Sequence, residues 1–229
     1  MSSESSAKSG RYAHHYLAPQ PQMSDEDWLM TLIQPAVDWQ VLDLTGNVAP
    51  VLPTLARLVI DGSGLNVNLT QLPFNDSQFD LVIYQHQAAA QPVDDLFAAV
   101  RETARVLRPG GQLIVQDLGL PDNERAARYV DTFFRFRESS QRRSHAAYEW
   151  QGVMLDAGLE VVHTDTITRP LHLEVWAADC SSYVTERLHI LLHQAPAAVA
   201  DYLRPFAIGT SDAMFTQTLV TVIGQKTLE

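Results

Sequence analysis

The run Asp94–Asp117, DDLFAAVRETARVLRPGGQLIVQD, constrains the fold more than any other stretch of the chain. Leu96, Phe97, Val100, Ala104 and Leu107 recur at helical spacing, with Arg101, Glu102 and Arg105 on the opposite face. Pro109-Gly110-Gly111 cannot continue a helix, because proline lacks an N–H donor and the glycines allow the positive φ of a sharp reversal. Leu113-Ile114-Val115 follows as a short apolar run, as a strand covered on both faces requires. Helix, tight turn and buried strand predict one repeat of a parallel α/β sheet.

The flanking sequence extends that repeat. Ser24 suits a helix N-cap, followed by Asp25, Glu26 and Asp27 and by Trp28, Leu29, Leu32 and Ile33. Trp39–Leu44 reads as a first strand, Pro50–Leu58 as a short helix broken by Pro53, and Leu58–Asp61 as a second strand. Leu65–Leu69 reads as a brief further strand and Phe79–Tyr84 as a strong one. Beyond Asp117, helices are expected over residues 123–137, 148–157 and 180–203, the last interrupted near Pro196. Strands are expected over 159–168 and 215–224. Residues 1–22, rich in Ser, Pro, Gln and His, are expected to form a flexible tail, and 23–229 a single domain.

Composition narrows the partners. With 229 residues the chain is long enough for one full α/β core. Lys+Arg 16 against Asp+Glu 27 leaves a net charge of −11, which argues against nucleic acid or an anionic membrane surface. The single cysteine, Cys180, excludes an internal disulfide and a cysteine metal cage. No signal-peptide pattern and no long apolar run is present, so a cytoplasmic location is expected.

Several stretches, in order, resemble the class I S-adenosylmethionine-dependent methyltransferases of the ubiquinone/menaquinone-biosynthesis type (methyltransferase type 11). They are Val41-Leu42-Asp43, Leu72-Pro73-Phe74, Gln78-Phe79-Asp80-Leu81-Val82, Arg105–Gly111, Tyr148-Glu149-Trp150 and Ala157-Gly158-Leu159. The resemblance implies a Rossmann-like, doubly wound α/β fold. Its sheet is mostly parallel, of the seven-stranded type with an antiparallel last strand, shortened here around strands two and three. It also implies a cap or insert over residues 170–212, with S-adenosylmethionine as cofactor.

By the same resemblance, Asp43, Thr45, Gly46, Asp61, Asn68 and Leu69 occupy the cofactor-binding positions. The family loop D-x-G-x-G-x-G is altered here. Thr45, Asn47 and Ala49 replace the three glycines, and Gly46 is one position out of phase. Thr45 is the sharpest departure, because a β-branched residue is stiff and bulky where bare backbone should approach the ligand. Asp61 retains the acid that accepts hydrogen bonds from ribose hydroxyls, unless it only opens an Asp-Gly turn. Asn68 stands where relatives carry an acid near the adenine amino group. His86 matches a family position lining the cleft, the weak candidate for catalysis, while Ala89 and Ala90 replace a histidine pair.

His189 and His193 have the i, i+4 spacing of metal ligands, yet no HExxH pattern or adjacent acid completes a site, so no metal is expected. Phe133, Phe134 and Phe136 read as core. Two functions stand side by side. One is a methyltransferase acting on a small, apolar molecule. The other is a catalytically inactive, methyltransferase-like subunit in a homo- or hetero-oligomer, from which the cofactor has been lost. That subunit would bind a partner protein at the exposed sheet edge near Leu65–Leu69.

Overall fold

The computed structural model describes residues 25–33, 38–44, 56–61, 68–85, 93–138 and 143–228. The chain divides into two compact units, Met1–Pro35 and Ala36–Glu229. The first contains α1 (Asp25–Leu32), in which Thr31 donates to the Trp28 carbonyl.

The second unit is built on a sheet. Its strands are β1 (Trp39–Asp43), β2 (Ala56–Asp61), β3 (Phe79–Gln85), β4 (Leu107–Leu120), β5 (His145–Ala146), β6 (Leu159–His172) and β7 (Met214–Lys226). The order is β2-β1-β3-β4-β7-β6, with the two-residue β5 beside the end of β4. The β1–β2, β1–β3 and β3–β4 pairs are parallel, and β7 runs antiparallel between β4 and β6. This is the mostly parallel sheet with an antiparallel last strand that the sequence led us to expect. Among the described residues β2 ends the sheet on one side and β6 on the other.

The helix-turn-strand run folds as α2 (Val93–Val106) followed by β4. Phe79 pairs with Leu107 and Leu81 with Gln112, so residues 108–111 bulge out of the ladder as the Pro-Gly-Gly turn. Gly110 has φ +78°, and a Cβ on Gly111 would lie 2.9 Å from the Arg108 carbonyl oxygen and 3.0 Å from that of Phe79. Glycine is therefore required at both positions, for conformation at one and for close approach at the other.

Two segments depart from the sequence reading. Ala56 and Arg57 belong to β2, not to a helix running to Leu58, because pairing with β1 from Trp39 onward overrides local propensity. Asn68 and Leu69 lie in a turn closed by Gln71 N–H donating to the Asn68 carbonyl at 2.9 Å, not in a strand. Residues 65–67 of that expected strand, and 50–55 of the expected helix, lie outside the described residues. The late helical stretch is interrupted near Pro196 as expected, giving α6 (Ser182–His193), capped by the Ser181 hydroxyl, and α7 (Ala197–Leu203), with Pro196 as its N-cap residue.

One face of the sheet packs on α2 and α4 (Ala147–Asp156), where Leu42, Val82, Tyr84, Val100, Val115, Trp150, Met154 and Val222 form a continuous core. A second core joins α3 (Glu124–Arg137), α5 (Leu173–Trp176), α6 and α7 over the far end of β4 and the β6–β7 arm. Phe133, Phe134 and Phe215 are buried in it and meet edge to face, while Trp176 stacks on Phe133 at 5.5 Å. The Arg137 guanidinium sits 4.9 Å from the Trp176 ring centroid, and its Nε donates to the Trp176 carbonyl. The phenylalanines are core, as expected.

Candidate functional site

The parallel strands bring a row of buried polar side chains to their C-terminal ends. Val41, Leu42 and Asp43 pair with Leu81, Val82 and Ile83, so Asp43 and Gln85 lie on one face of the sheet. Leu42, Leu44, Val82 and Tyr84 lie on the other, against α2 and α4. Asp43 is fully buried. Asp61 is its direct register partner on β2, which sets two acids side by side where their strands end.

On β3 the row continues with Gln85, in register with Gln116 of β4, which is in register with Thr221 of β7. Gln85 Nε2 donates to Gln116 Oε1 at 2.8 Å, and Gln116 Nε2 donates to Thr221 Oγ1 at 3.3 Å. All three are buried, and Gln85 Oε1 has no hydrogen-bond partner among the described residues. The sequence reading passed over this row. Its signal was a glutamine following an apolar run in each of two strands, LVIYQ and LIVQ.

On the opposite face Tyr84 is buried with its hydroxyl unpartnered among the described residues. Burial pushes its ionisation well above the usual tyrosine range, and Asp117 adds to the effect, so it stays protonated. Tyr84 lines a narrow crevice, too tight for a water molecule, with Leu44, Leu69, Val100 and Leu113.

Of the positions singled out by sequence, Asp43 and Asp61 come together and Leu69 lines the crevice beside Tyr84. Asn68 is exposed, and its Oδ1 accepts from the Thr70 N–H at 3.0 Å and the Thr70 hydroxyl at 2.7 Å. Both lone pairs of that oxygen are engaged in its own turn, so accepting from the adenine amino group requires the turn to open. Thr45, Gly46 and His86 lie outside the described residues. His189 is a staple between helices: its Nδ1 accepts from the Gly209 N–H at 3.1 Å, and Nε2 donates to Glu174 at 2.8 Å. Among the described residues no cluster of His, Cys, Asp and Glu could hold a metal ion.

Comparison with known proteins decides what this arrangement belongs to. A family model described as a methyltransferase domain matches residues 45–115. The YafE protein of Escherichia coli (strain K12), an uncharacterized protein, is 32% identical over 157 residues, covering 68% of this chain and 73% of that protein. The chain belongs to the class I S-adenosylmethionine-dependent methyltransferase family.

A second relative of this chain is the ubiquinone/menaquinone biosynthesis C-methyltransferase UbiE of Cellvibrio japonicus (strain Ueda107). It is 35% identical over 82 residues, 34% of this chain and 32% of that protein. The crystal structure of the YcgJ protein from Bacillus subtilis superposes with a TM-score of 0.77 over 88% of this chain and 97% of that one, at 18% identity, and shows the shared fold.

The residues present fit the family cofactor. Gln85 Oε1, a buried acceptor without a partner among the described residues, offers a site to a ligand carrying hydroxyl or ammonium donors, and the register places residue 61 at the same end of the sheet. Asp61 would hold the ribose and Asp43 would support the turn after β1. When bound, S-adenosylmethionine supplies a sulfonium methyl group that a nucleophile can take.

Two other features lie away from this end. A cleft of about 460 Å³ is lined by Thr218 and Val220 of β7, Thr166 and Thr168 of β6, Ala147 of α4 and Tyr202 of α7. Thr218 and Val220 share the face of Val222, so the cleft opens on the α4 side, opposite the Asp43–Gln85 row. Burial pushes the Tyr202 hydroxyl up to about 12, and it donates to the Gly119 carbonyl at 2.9 Å. At the N-terminal ends of the strands, Arg105 bonds Glu102, Asp76 and the Leu72 carbonyl. That arginine holds the Glu102 carboxyl below its usual range, assisted by the Leu72 N–H.

Proposed function

We propose that the chain transfers the methyl group of S-adenosylmethionine to a small, apolar molecule. The observation that carries this reading is the retention of buried polar groups, Asp43 and Gln85, where β1 and β3 end, in a sheet otherwise filled with aliphatic residues. Buried polar groups cost stability unless something requires them. The activity of one relative, C-methylation in ubiquinone and menaquinone biosynthesis, supports an apolar ring as acceptor. Methyl transfer from a sulfonium needs chiefly alignment of donor and acceptor, so Ala89 and Ala90 in place of a histidine pair are compatible with turnover. A cytoplasmic location goes with this reading. No helix among the described residues is long and apolar enough to cross a membrane.

The test is transfer of label from methyl-tritiated S-adenosylmethionine into the organic extract of a reaction containing small-molecule lipids of the host. Enzyme-dependent label in the extract, reduced by Asp61→Ala, is the expected result. Absence of label across acceptor pools would overturn the reading.

A second reading has its own support in Thr45, Asn47 and Ala49 in place of the loop glycines and in β2 standing last in the sheet order among the described residues. Under it the chain is an inactive subunit that covers this edge with a partner protein or a second copy. Sedimentation of the purified protein distinguishes the two, since a monomer at every concentration speaks against the subunit.

A further inference from the structure

β6 is a 14-residue strand, and among the described residues only β7 pairs with it, so its outer edge is open. A long open edge is a template for another strand. The register fixes which backbone groups that edge presents. The ladder that pairs His163 with Ile223 and His172 with Met214 continues to Leu173, whose N–H donates to the Ala213 carbonyl at 2.8 Å. Odd-numbered residues of this stretch therefore bond toward β7, and even-numbered ones turn their N–H and carbonyl groups outward. Thr166 and Pro170 agree with this. The Thr166 N–H is held by the Asp165 carboxylate at 2.7 Å, and proline has no N–H to offer.

The side chains select a partner for this edge. Asp165, Ile167 and Arg169 share one side of β6, at alternate positions. In a second copy laid antiparallel about Ile167, Ile167 faces itself and Asp165 faces Arg169 twice, once on each side of the two-fold axis. Odd-numbered pairs are the non-hydrogen-bonded ones, whose Cα atoms stand about 4.5 Å apart with their side chains close together. Thr166 and Thr168 face each other in the hydrogen-bonded pairs. The Thr166 N–H takes the Thr168 carbonyl of the second copy, which releases Asp165 to Arg169. Pro170 falls opposite Thr164, where its carbonyl accepts. A register shifted by two residues either way sets Asp165 against Ile167 or Leu171 and loses both ion pairs. We propose that the chain forms a two-fold dimer through β6, with the two sheets joined edge to edge and Asp165 of each copy paired with Arg169 of the other. This surface lies at the opposite side of the sheet from β2, and the inference is independent of the methyl-transfer reading.

Sedimentation velocity of the full chain over a concentration series tests it. The wild type dimerises. Asp165→Arg and Arg169→Asp each set like charges opposite one another twice, and each raises the dimer dissociation constant about tenfold or more. The double variant Asp165→Arg/Arg169→Asp restores the pairs with signs exchanged and recovers most of the loss. Amide exchange of the wild type keeps the test open if a single reversal does not fold: the N–H groups of Thr166 and Thr168 gain protection as concentration rises. A wild type that stays a monomer at every concentration overturns the inference. So does a dimer that both reversals leave intact, a double variant that does not recover, or exchange at Thr166 and Thr168 that does not respond to concentration.

Discussion

Arg108 Nη1 lies 3.0 Å and 2.9 Å from the two carboxylate oxygens of Asp80. Asp80 also accepts from the Gln40 N–H at 2.7 Å. The pair joins the Phe79-Asp80 motif to the Arg105–Gly111 motif at the N-terminal ends of β1, β3 and β4. These stretches make the family most recognisable, yet they sit at the end of the sheet away from Asp43, Asp61 and Gln85. They specify the fold, which by itself does not fix the chemistry.

Asp80→Ala is expected to cost about 1–2 kcal/mol, mostly through the stranded Gln40 N–H. Arg108→Ala should cost less than about 1 kcal/mol, because that side chain is partly solvated. Neither substitution should change cofactor affinity. Urea unfolding checks the order, and a larger loss for Arg108→Ala contradicts this assignment of Asp80.

Gly111→Ala places a Cβ against two backbone carbonyls that cannot yield. A loss of about 2 kcal/mol or more is expected. Gly152→Ala is the contrast, since its added Cβ meets nothing within 4 Å and the residue lies inside α4. That change should stabilise by about 0.5–1 kcal/mol. Thermal melts of the two variants should shift in opposite directions.

His145 gives a pH dependence. It is buried against Trp150, with both ring nitrogens unpartnered among the described residues. Burial lowers its ionisation below the usual 6.5; Glu149 and Asp131 oppose that shift and Arg143 reinforces it. The folded state thus holds this ring neutral while the unfolded chain takes up a proton. Stability is full above about pH 6.5 and falls as the pH drops below it toward the depressed folded value. His145→Phe should flatten this part of the stability profile. A wild-type profile flat between pH 7 and 5 contradicts the assignment.

Tyr202→Phe removes the donor to the Gly119 carbonyl, which ties α7 to the end of β4. A loss of about 1 kcal/mol is expected, with faster amide exchange across residues 197–203. Unchanged exchange there would show that the tie does not hold α7.

The legible parts of the sequence were those whose period is long enough to read. Helix α2, strand β3, the Pro-Gly-Gly turn and the β6–β7 pair all follow from apolar spacing and glycine placement. β5, with two residues, and α5, with four, have no readable period, and tertiary contacts hold them: β5 against Gly119 and Leu120, and α5 through the Ala213 carbonyl. Asn68 was assigned from its place in the family pattern, while its local turn chemistry was the stronger signal. Asp43 and Asp61 were singled out, like Asn68, from their places in the family pattern, and the register puts the two side by side. Gln85 and Gln116 were missed because a glutamine in an apolar strand is easily taken for a solvated edge, and only the sheet register shows the two facing each other.

The most direct test is calorimetric titration of the purified protein with S-adenosylmethionine, beside Asp61→Ala. The account predicts saturable binding in the micromolar range, weakened about tenfold or more by the substitution. No heat at millimolar cofactor, in a protein with an intact cooperative melt, would contradict it.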